Sequence, residues 1–189
     1  MATHQPLHGK HIAAVVTDGF EQIELTSPRS ALEAAGAEVS IVSPKRDEVQ
    51  GWNHDKKGDT FDVTVPITEA IASDYDALLL PGGVHNPDQL RCDPFVLKFV
   101  KDFFIQHKPV AAICHGPWTL IDAGVVKGRK LTSYHSVQTD LKNAGAEWVD
   151  EEVVVDNGLV TSRNPDDLEA FNAKIVEEFA EGRHEEQHA

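Results

Sequence analysis

Cys114 and His115 are adjacent and sit where the patterning of the chain changes. Before them, Pro109-Val110-Ala111-Ala112-Ile113 is small and apolar; after them, Gly116-Pro117 interrupts and Trp118-Thr119-Leu120 resumes an apolar segment. A thiol can attack an electrophilic carbon and an imidazole can carry its proton, so the pair is a candidate for covalent catalysis. The apolar run is too short for a buried helix and suits a strand covered on both faces. Pro117 fits a first helical turn, where a missing N–H costs nothing. Strand, sharp turn and helix, with the nucleophile at the turn, make a nucleophile elbow. Helix amides aimed at the sulfur would favour a thiolate near neutral pH. The competing reading is a small buried hydrophobe in a core strand, the usual state of a free cysteine.

Other elements must bring groups to that turn. His11 to Thr17 reads as a first buried strand, followed by Asp18-Gly19-Phe20 and Glu21-Gln22-Ile23-Glu24-Leu25. Ser27 and Pro28 read as the cap and first turn of a helix ending at Gly36, and Glu38 to Ser43 as a second strand. This β-α-β unit implies parallel pairing and a right-handed crossover. Pro44 to Thr68 reads as an excursion off the main sheet, with Phe61 to Val65 alternating as a half-exposed strand, and Ile67 to Ala72 as a short helix. Tyr75 to Leu80 is a buried strand closed by Pro81-Gly82-Gly83, and Pro94 opens an amphipathic helix to about His107. Beyond the elbow come a short strand over Lys130 to Ser133 and a helix over Val137 to Ala144. Asn157-Gly158 supplies the type I′ turn of a hairpin from Val153 to Thr161. Pro165 starts a last amphipathic helix to about Ala180, and the polar tail to Ala189 is expected to fray.

The alternation predicts a single α/β domain over residues 1–189, with its core at about 10–180 and a doubly wound, mostly parallel sheet. In such sheets functional groups gather beyond the carboxyl ends of the strands. Three stretches fall there together: Asp18 to Glu24, Pro81-Gly82-Gly83 and Cys114-His115.

The 189 residues carry 31 Asp and Glu against 17 Lys and Arg, a net charge of -14. That balance argues against nucleic acid and against an anionic membrane surface. No stretch approaches the roughly 18 apolar residues of a membrane span, and Met1 to Lys10 lacks a signal-peptide core. Cys92 and Cys114 are the only cysteines, so neither a disulfide framework nor a Cys-rich zinc pattern is present, and a reducing, cytoplasmic setting is expected. Of the ten histidines, His4, His8, His11, His184 and His188 lie at or near the ends and are expected to be solvated, none of them in a helical His-Glu-x-x-His pattern. No Cys/His set has zinc spacing, and no Gly-x-Gly-x-x-Gly follows the first strand, so no metal and no cofactor is expected.

Phe20-Glu21-Gln22-Ile23-Glu24-Leu25, Leu80-Pro81-Gly82-Gly83, Ala112-Ile113-Cys114-His115-Gly116-Pro117, Leu131-Thr132-Ser133-Tyr134, Asn143 to Trp148 and Val160-Thr161-Ser162-Arg163, in this order and spacing, resemble the DJ-1/PfpI family. The similarity runs from about Lys10 to Phe179 and lies with the PfpI-like branch of the class I glutamine-amidotransferase-like superfamily. It implies a flavodoxin-like three-layer sandwich and a homo-oligomer, a dimer or a hexamer. It also implies that Glu24 hydrogen-bonds the Cys114 sulfur. A carboxyl beside a thiolate in a dry pocket tends to stay protonated and can donate to sulfur or shuttle a proton. Glu21, three residues earlier, is the rival carboxyl. Gly82 and Gly83, with the His115 amide, suit an oxyanion hole. In the PfpI-like branch the histidine acts as base, oriented by an acid from a neighbouring subunit; the matching residue here is Asp88, where some relatives carry Glu. Tyr134 stands where animal members carry a histidine and is expected to line the pocket, with His135 just after it.

The resemblance implies a cofactor-independent enzyme that attacks aldehydes through a Cys114 thiohemiacetal, a glyoxalase or a deglycase of glycated proteins and nucleotides. A PfpI-type peptidase using His115 and an intersubunit Asp88 is the first rival. A stress protein whose cysteine senses oxidants, or a holdase, is the second. Cys92 is expected to be structural or merely exposed.

Overall fold

The buried strands are the apolar runs that periodicity singles out. The computed structural model describes residues 5–189, so His4 lies outside the described residues. In chain order the elements are β1 (His11–Val15), β2 (Phe20–Glu21), α1 (Gln22–Ala34), β3 (Glu38–Ser43), β4 (Glu48–Asn53), β5 (Lys56–Asp62), β6 (Val65–Pro66), β7 (Ala77–Leu80), α2 (His85–Leu90), α3 (Pro94–Ile105), β8 (Val110–Ile113), α4 (Pro117–Asp122), β9 (Lys130–Leu131), α5 (Gln138–Asn143), β10 (Glu147–Trp148), β11 (Val153–Asp156), β12 (Leu159–Ser162) and α6 (Leu168–Glu181). Seven strands form the main sheet in the order β11-β12-β8-β7-β1-β3-β6, and only β11 runs antiparallel.

Because successive strand residues point to opposite faces, the sheet feeds two cores. Ala13, Leu78, Leu80, Val110 and Ala112 face Val96, Phe99, Phe103 and Phe104 of α3 and Leu120 of α4. Ile12, Ala14, Leu79, Ala111 and Ile113 face Leu25 and Leu32 of α1 and Phe171, Ile175 and Phe179 of α6. The result is a sheet between two helical layers, the α/β architecture expected.

Four local expectations are corrected. α1 begins at Gln22, and Pro28 lies inside it rather than at its start. An interior proline forfeits the bond to the carbonyl four residues back, but Glu24, Leu25, Pro28 and Leu32 are all buried, so packing overrides the local preference. The stretch from Ile67 makes one turn, in which Pro66 O accepts from Glu69 and Ala70 N–H, and only Ala72–Asp74 is 3-10 helix. β9 is only Lys130–Leu131, shorter than the strand expected to Ser133, and it pairs with β10 in a separate two-stranded sheet. The tail is not frayed: Gln187 is fully buried, His184 N–H donates to His107 O at 2.8 Å, and an Arg129 N–H donates to His188 O at 2.6 Å. Gly158 permits this docking, since a Cβ there would lie 2.7 Å from Gln187 Oε1.

The excursion after β3 supplies β4 and β5, which join β2 in a three-stranded sheet of order β2-β4-β5. Its β4–β5 turn carries His54 at φ 57. The β11–β12 turn has both positive φ values that Asn-Gly was expected to supply, 46 at Asn157 and 81 at Gly158.

α3 offers a direct test of the core assignment. Phe103 has no exposed surface, whereas Phe95 is 57% exposed. Phe103→Ala is expected to cost about 3–5 kcal/mol in urea unfolding, and Phe95→Ala about 0.5 kcal/mol or less.

Candidate active site

Cys114 is the last word of a strand and the first of a turn. It follows Ile113 at the end of β8 and adopts φ 62, a left-handed conformation that a non-glycine residue holds only when its surroundings impose it. They do so with three bonds. Cys114 N–H donates to Ser162 O of β12 at 3.0 Å, Cys114 O accepts from Tyr134 N–H at 2.9 Å, and Gly116 N–H returns to Ile113 O at 2.9 Å. A Cβ on Gly116 would lie 2.6 Å from Leu80 O, so the close turn requires glycine.

The Pro-Gly-Gly loop meets this elbow from β7. Glu24, fully buried in the first turn of α1, accepts from Gly82 N–H at 2.8 Å through Oε2. A Cβ on Gly82 would stand 2.6 Å from that oxygen and 2.8 Å from Cys114 Cβ, so glycine is what lets loop, acid and cysteine converge. Because its N–H is taken by Glu24, Gly82 is not a free oxyanion donor, a correction to its expected role. Gly83, at φ 77, and the His115 amide direct their N–H groups toward the sulfur, and Gly83 lines the cavity.

The proton inventory follows from burial. Glu24 is pushed up to about 8, first by burial, against the opposing pull of the Gly82 N–H. The Cys114 thiol is also pushed far up, by burial first and the Glu24 charge second, outweighing the Gly83 and His115 amides. His115 is held down at about 4 by burial, with His135 adding to the effect. At neutral pH the site therefore contains a carboxylic acid, a thiol and a neutral imidazole. The resting thiolate expected from the elbow is not supported, because α4 has only six residues and its dipole cannot offset removal of the sulfur from water.

The imidazole is placed to act on that thiol. His115 Nδ1 lies 3.1 Å from Cys114 Sγ and Nε2 lies 3.1 Å from Ser136 Oγ. Its ring stacks on Tyr134 at 4.7 Å and meets the edge of Trp118 at 5.1 Å. Tyr134, His135 and Glu21 line a cavity of about 850 Å³ with Glu24, Cys114 and His115. Glu21 does not replace Glu24: its Oε2 accepts from His54 N–H at 3.1 Å and so anchors the β4–β5 turn above the cavity. Asp88 lies exposed on α2, outside the cavity lining, and within one chain it does not meet His115.

Four contributing residues lie beyond the sequence reasoning. Asn86 is fully buried, accepts from Thr17 N–H at 2.8 Å and donates to Pro81 O at 3.0 Å, tying the Pro-Gly-Gly loop to the segment that follows β1. Trp52 and His54 bring the β4–β5 excursion into the cavity wall, and Ser136 reaches His115. Their roles depend on partners distant in sequence, which leave no periodic signal, so only the fold could find them. Cys92 is exposed, with Sγ 3.6 Å from Asp88 O.

The terminal letters His184-Glu185-Glu186-Gln187-His188 spell a metal-binding helix motif, but the segment lies beyond α6 and is not helical. His184 sits 3.4 Å from Glu178 while the His188 ring faces His107, so the two histidines do not converge. Among the described residues, no helix is long and apolar enough to cross a membrane.

A buried cysteine at a strained elbow, a buried glutamic acid and a Pro-Gly-Gly loop thus meet at the carboxyl ends of a mostly parallel α/β sheet. The DJ-1/PfpI family model matches residues 10–178, and the chain belongs to that family. It is 50% identical over 168 residues to "Putative cysteine protease YraA" of Bacillus subtilis, covering 88% of this chain and 96% of that protein. It is likewise 50% identical over 170 residues to "Protein/nucleic acid deglycase 2" of Escherichia coli, with 88% and 96% covered. "General stress protein 18" of Bacillus subtilis is 48% identical over 172 residues, with 89% and 96% covered. Among solved structures, Drosophila melanogaster DJ-1beta superposes with a TM-score of 0.81 at 29% identity, covering 90% of each chain.

Burial of Glu24 carries a measurable consequence. The folded carboxyl keeps its proton up to about pH 8, whereas the unfolded one releases it near 4.5, so between those values the native state binds more protons and loses stability as pH rises. Glu24→Gln is expected to raise stability by a few kcal/mol at pH 8, with the gap closing toward pH 4.5 in urea unfolding series.

Proposed function

We propose that the chain is a cysteine-dependent enzyme acting on reactive carbonyls: methylglyoxal or glyoxal, released as lactate or glycolate, or the early adducts these form on proteins and nucleotides. The observation that carries this reading is the Cys114 Sγ–His115 Nδ1 contact of 3.1 Å beside the protonated Glu24. In the first step sulfur bonds to the aldehyde carbon, the carbonyl π pair moves to oxygen, and the thiol proton passes to His115 Nδ1. The oxyanion faces the Gly83 and His115 amides and takes up the proton, giving a thiohemiacetal. With an α-oxoaldehyde, removal of the aldehyde-derived C–H proton gives an enediol, and reprotonation at the neighbouring carbon leaves a thioester. Water then releases the 2-hydroxy acid and restores the thiol. No net oxidation occurs, and the chemistry asks only for an acid and a base, which Glu24 and His115 supply.

Two features favour larger substrates as well. A cavity of about 850 Å³ far exceeds a three-carbon aldehyde, and its rim carries Trp52, His54 and His85. This supports the deglycase reading, and it also fits a second one, peptide hydrolysis in a homo-oligomer where an exposed Asp88 reaches His115 of a neighbour. The likeness to a general stress protein supports a role under carbonyl or oxidative stress.

Methylglyoxal consumption and peptide hydrolysis, measured in parallel, separate these readings. Cys114→Ser is expected to lose at least about 10³-fold and Glu24→Gln roughly 10²–10³-fold in methylglyoxal turnover. Asp88→Asn is expected to stay within a few-fold for methylglyoxal; if peptide hydrolysis alone proceeds and Asp88→Asn abolishes it, the peptidase reading replaces ours.

A further inference from the structure

His115 is neutral at working pH, so its ring has one N–H and one lone pair, and which nitrogen holds which decides what it can do. With the proton on Nδ1 it can only donate to sulfur. With the proton on Nε2, the Nδ1 lone pair faces the Cys114 thiol at 3.1 Å and can take its proton. The neighbour of Nε2 therefore sets the competence of the base.

We propose that Ser136 is that positioning residue, its Oγ accepting the Nε2–H of His115 at 3.1 Å and completing a Cys114–His115–Ser136 relay within one chain. This inference rests on the reading of Cys114 and His115 as nucleophile and base. Three observations support it. First, the ring plane is fixed by Tyr134 on one side and Trp118 at its edge, leaving the hydrogen bonds to select the tautomer. Second, Ser136 is held in register with the elbow. It lies in the 3-10 turn His135–Val137, whose Val137 is fully buried, whose Val137 N–H donates to Tyr134 O at 3.0 Å, and whose preceding Tyr134 N–H bonds Cys114 O. Third, no side-chain carboxylate of the same chain contacts Nε2 among the described residues.

A neutral hydroxyl has a different consequence from an acid. It orients the imidazole without stabilising the imidazolium by charge, so His115 stays a weak base that gives its proton up readily to the oxyanion. The other titratable groups around it are Cys114, Glu24, Tyr134 and His135, with Glu21, His54, Asp55, His85 and Asp166 along the cavity wall. Of these only His135 contributes a resolved charge effect, and it acts in the same direction as burial.

The test uses alkylation of Cys114 by iodoacetamide across pH, which needs no knowledge of the substrate, with methylglyoxal turnover beside it. Ser136→Ala is expected to slow Cys114 alkylation about five- to tenfold at neutral pH, and Ser136→Thr, which keeps the hydroxyl, to remain within about twofold of wild type. Ser136→Asp is expected to move the acid limb of the pH–rate profile upward by about one unit or more, because a carboxylate stabilises the imidazolium. Histidine ¹⁵N spectra should give His115 as the Nε2–H tautomer in wild type and a mixture in Ser136→Ala. Equal rates for wild type and Ser136→Ala, or equal losses in Ala and Thr, would overturn the assignment. If alkylation follows the expected order while methylglyoxal is untouched by wild type, the relay stands and the substrate reading fails.

Discussion

A carboxyl group sealed from water holds this site together. Glu24 has no exposed surface, yet its Oε2 accepts the Gly82 N–H at 2.8 Å, and through that bond α1, the end of β7 and the cysteine elbow become one structure. Gly82 has room for nothing larger than hydrogen, since acid, Cys114 Cβ and Ile113 O all crowd its missing side chain. The convergence of three strand ends is a property of the parallel sheet; their contact is a property of this one bond. Burial of that carboxyl, against the pull of the Gly82 N–H, keeps a proton on the acid beside Cys114.

Burial also sets the resting state of the Cys114 sulfur. An elbow brings amides near sulfur, but desolvation opposes charge more strongly than two amides favour it. Sulfur therefore rests as a thiol, and in the proposed reaction it is activated when a carbonyl arrives, with His115 as acceptor 3.1 Å away. Such a site needs its base aimed before the substrate binds. That is why the surroundings of His115 matter as much as its distance to sulfur, and why the turn at Tyr134 to Val137, bonded to Cys114 O, belongs to the site.

What the sequence disclosed follows the range of the interactions. The strand–turn–helix pattern around Cys114 is local, so the elbow and its partners beyond β1 and β7 could be read from apolar runs and Gly-Pro punctuation. The choice of Glu24 over Glu21 rests on resemblance; in the structure Glu24 accepts from Gly82 N–H beside the elbow, while Glu21 accepts from His54 N–H. Proline usually marks a first turn, so the pattern points to a helix start at Ser27, and here burial of Leu25 and Leu32 outweighs that preference. Asn86 reaches Thr17 across 69 positions and Ser136 reaches His115 across 21, and neither leaves a periodic or spacing signature. The docked tail escaped for the same reason, as Gln187 looks like any solvated residue until Gly158 and His107 lie beneath it.

The protonation state of Glu24 is the most direct test of this account. Infrared difference spectra of wild type against Glu24→Gln report the carbonyl stretch of a protonated carboxylic acid. The account requires that band to be present at pH 6 and to fade as pH rises through about 8. A wild-type protein without it at pH 6 would hold Glu24 as a carboxylate, and the proton inventory on which the chemistry rests would be wrong.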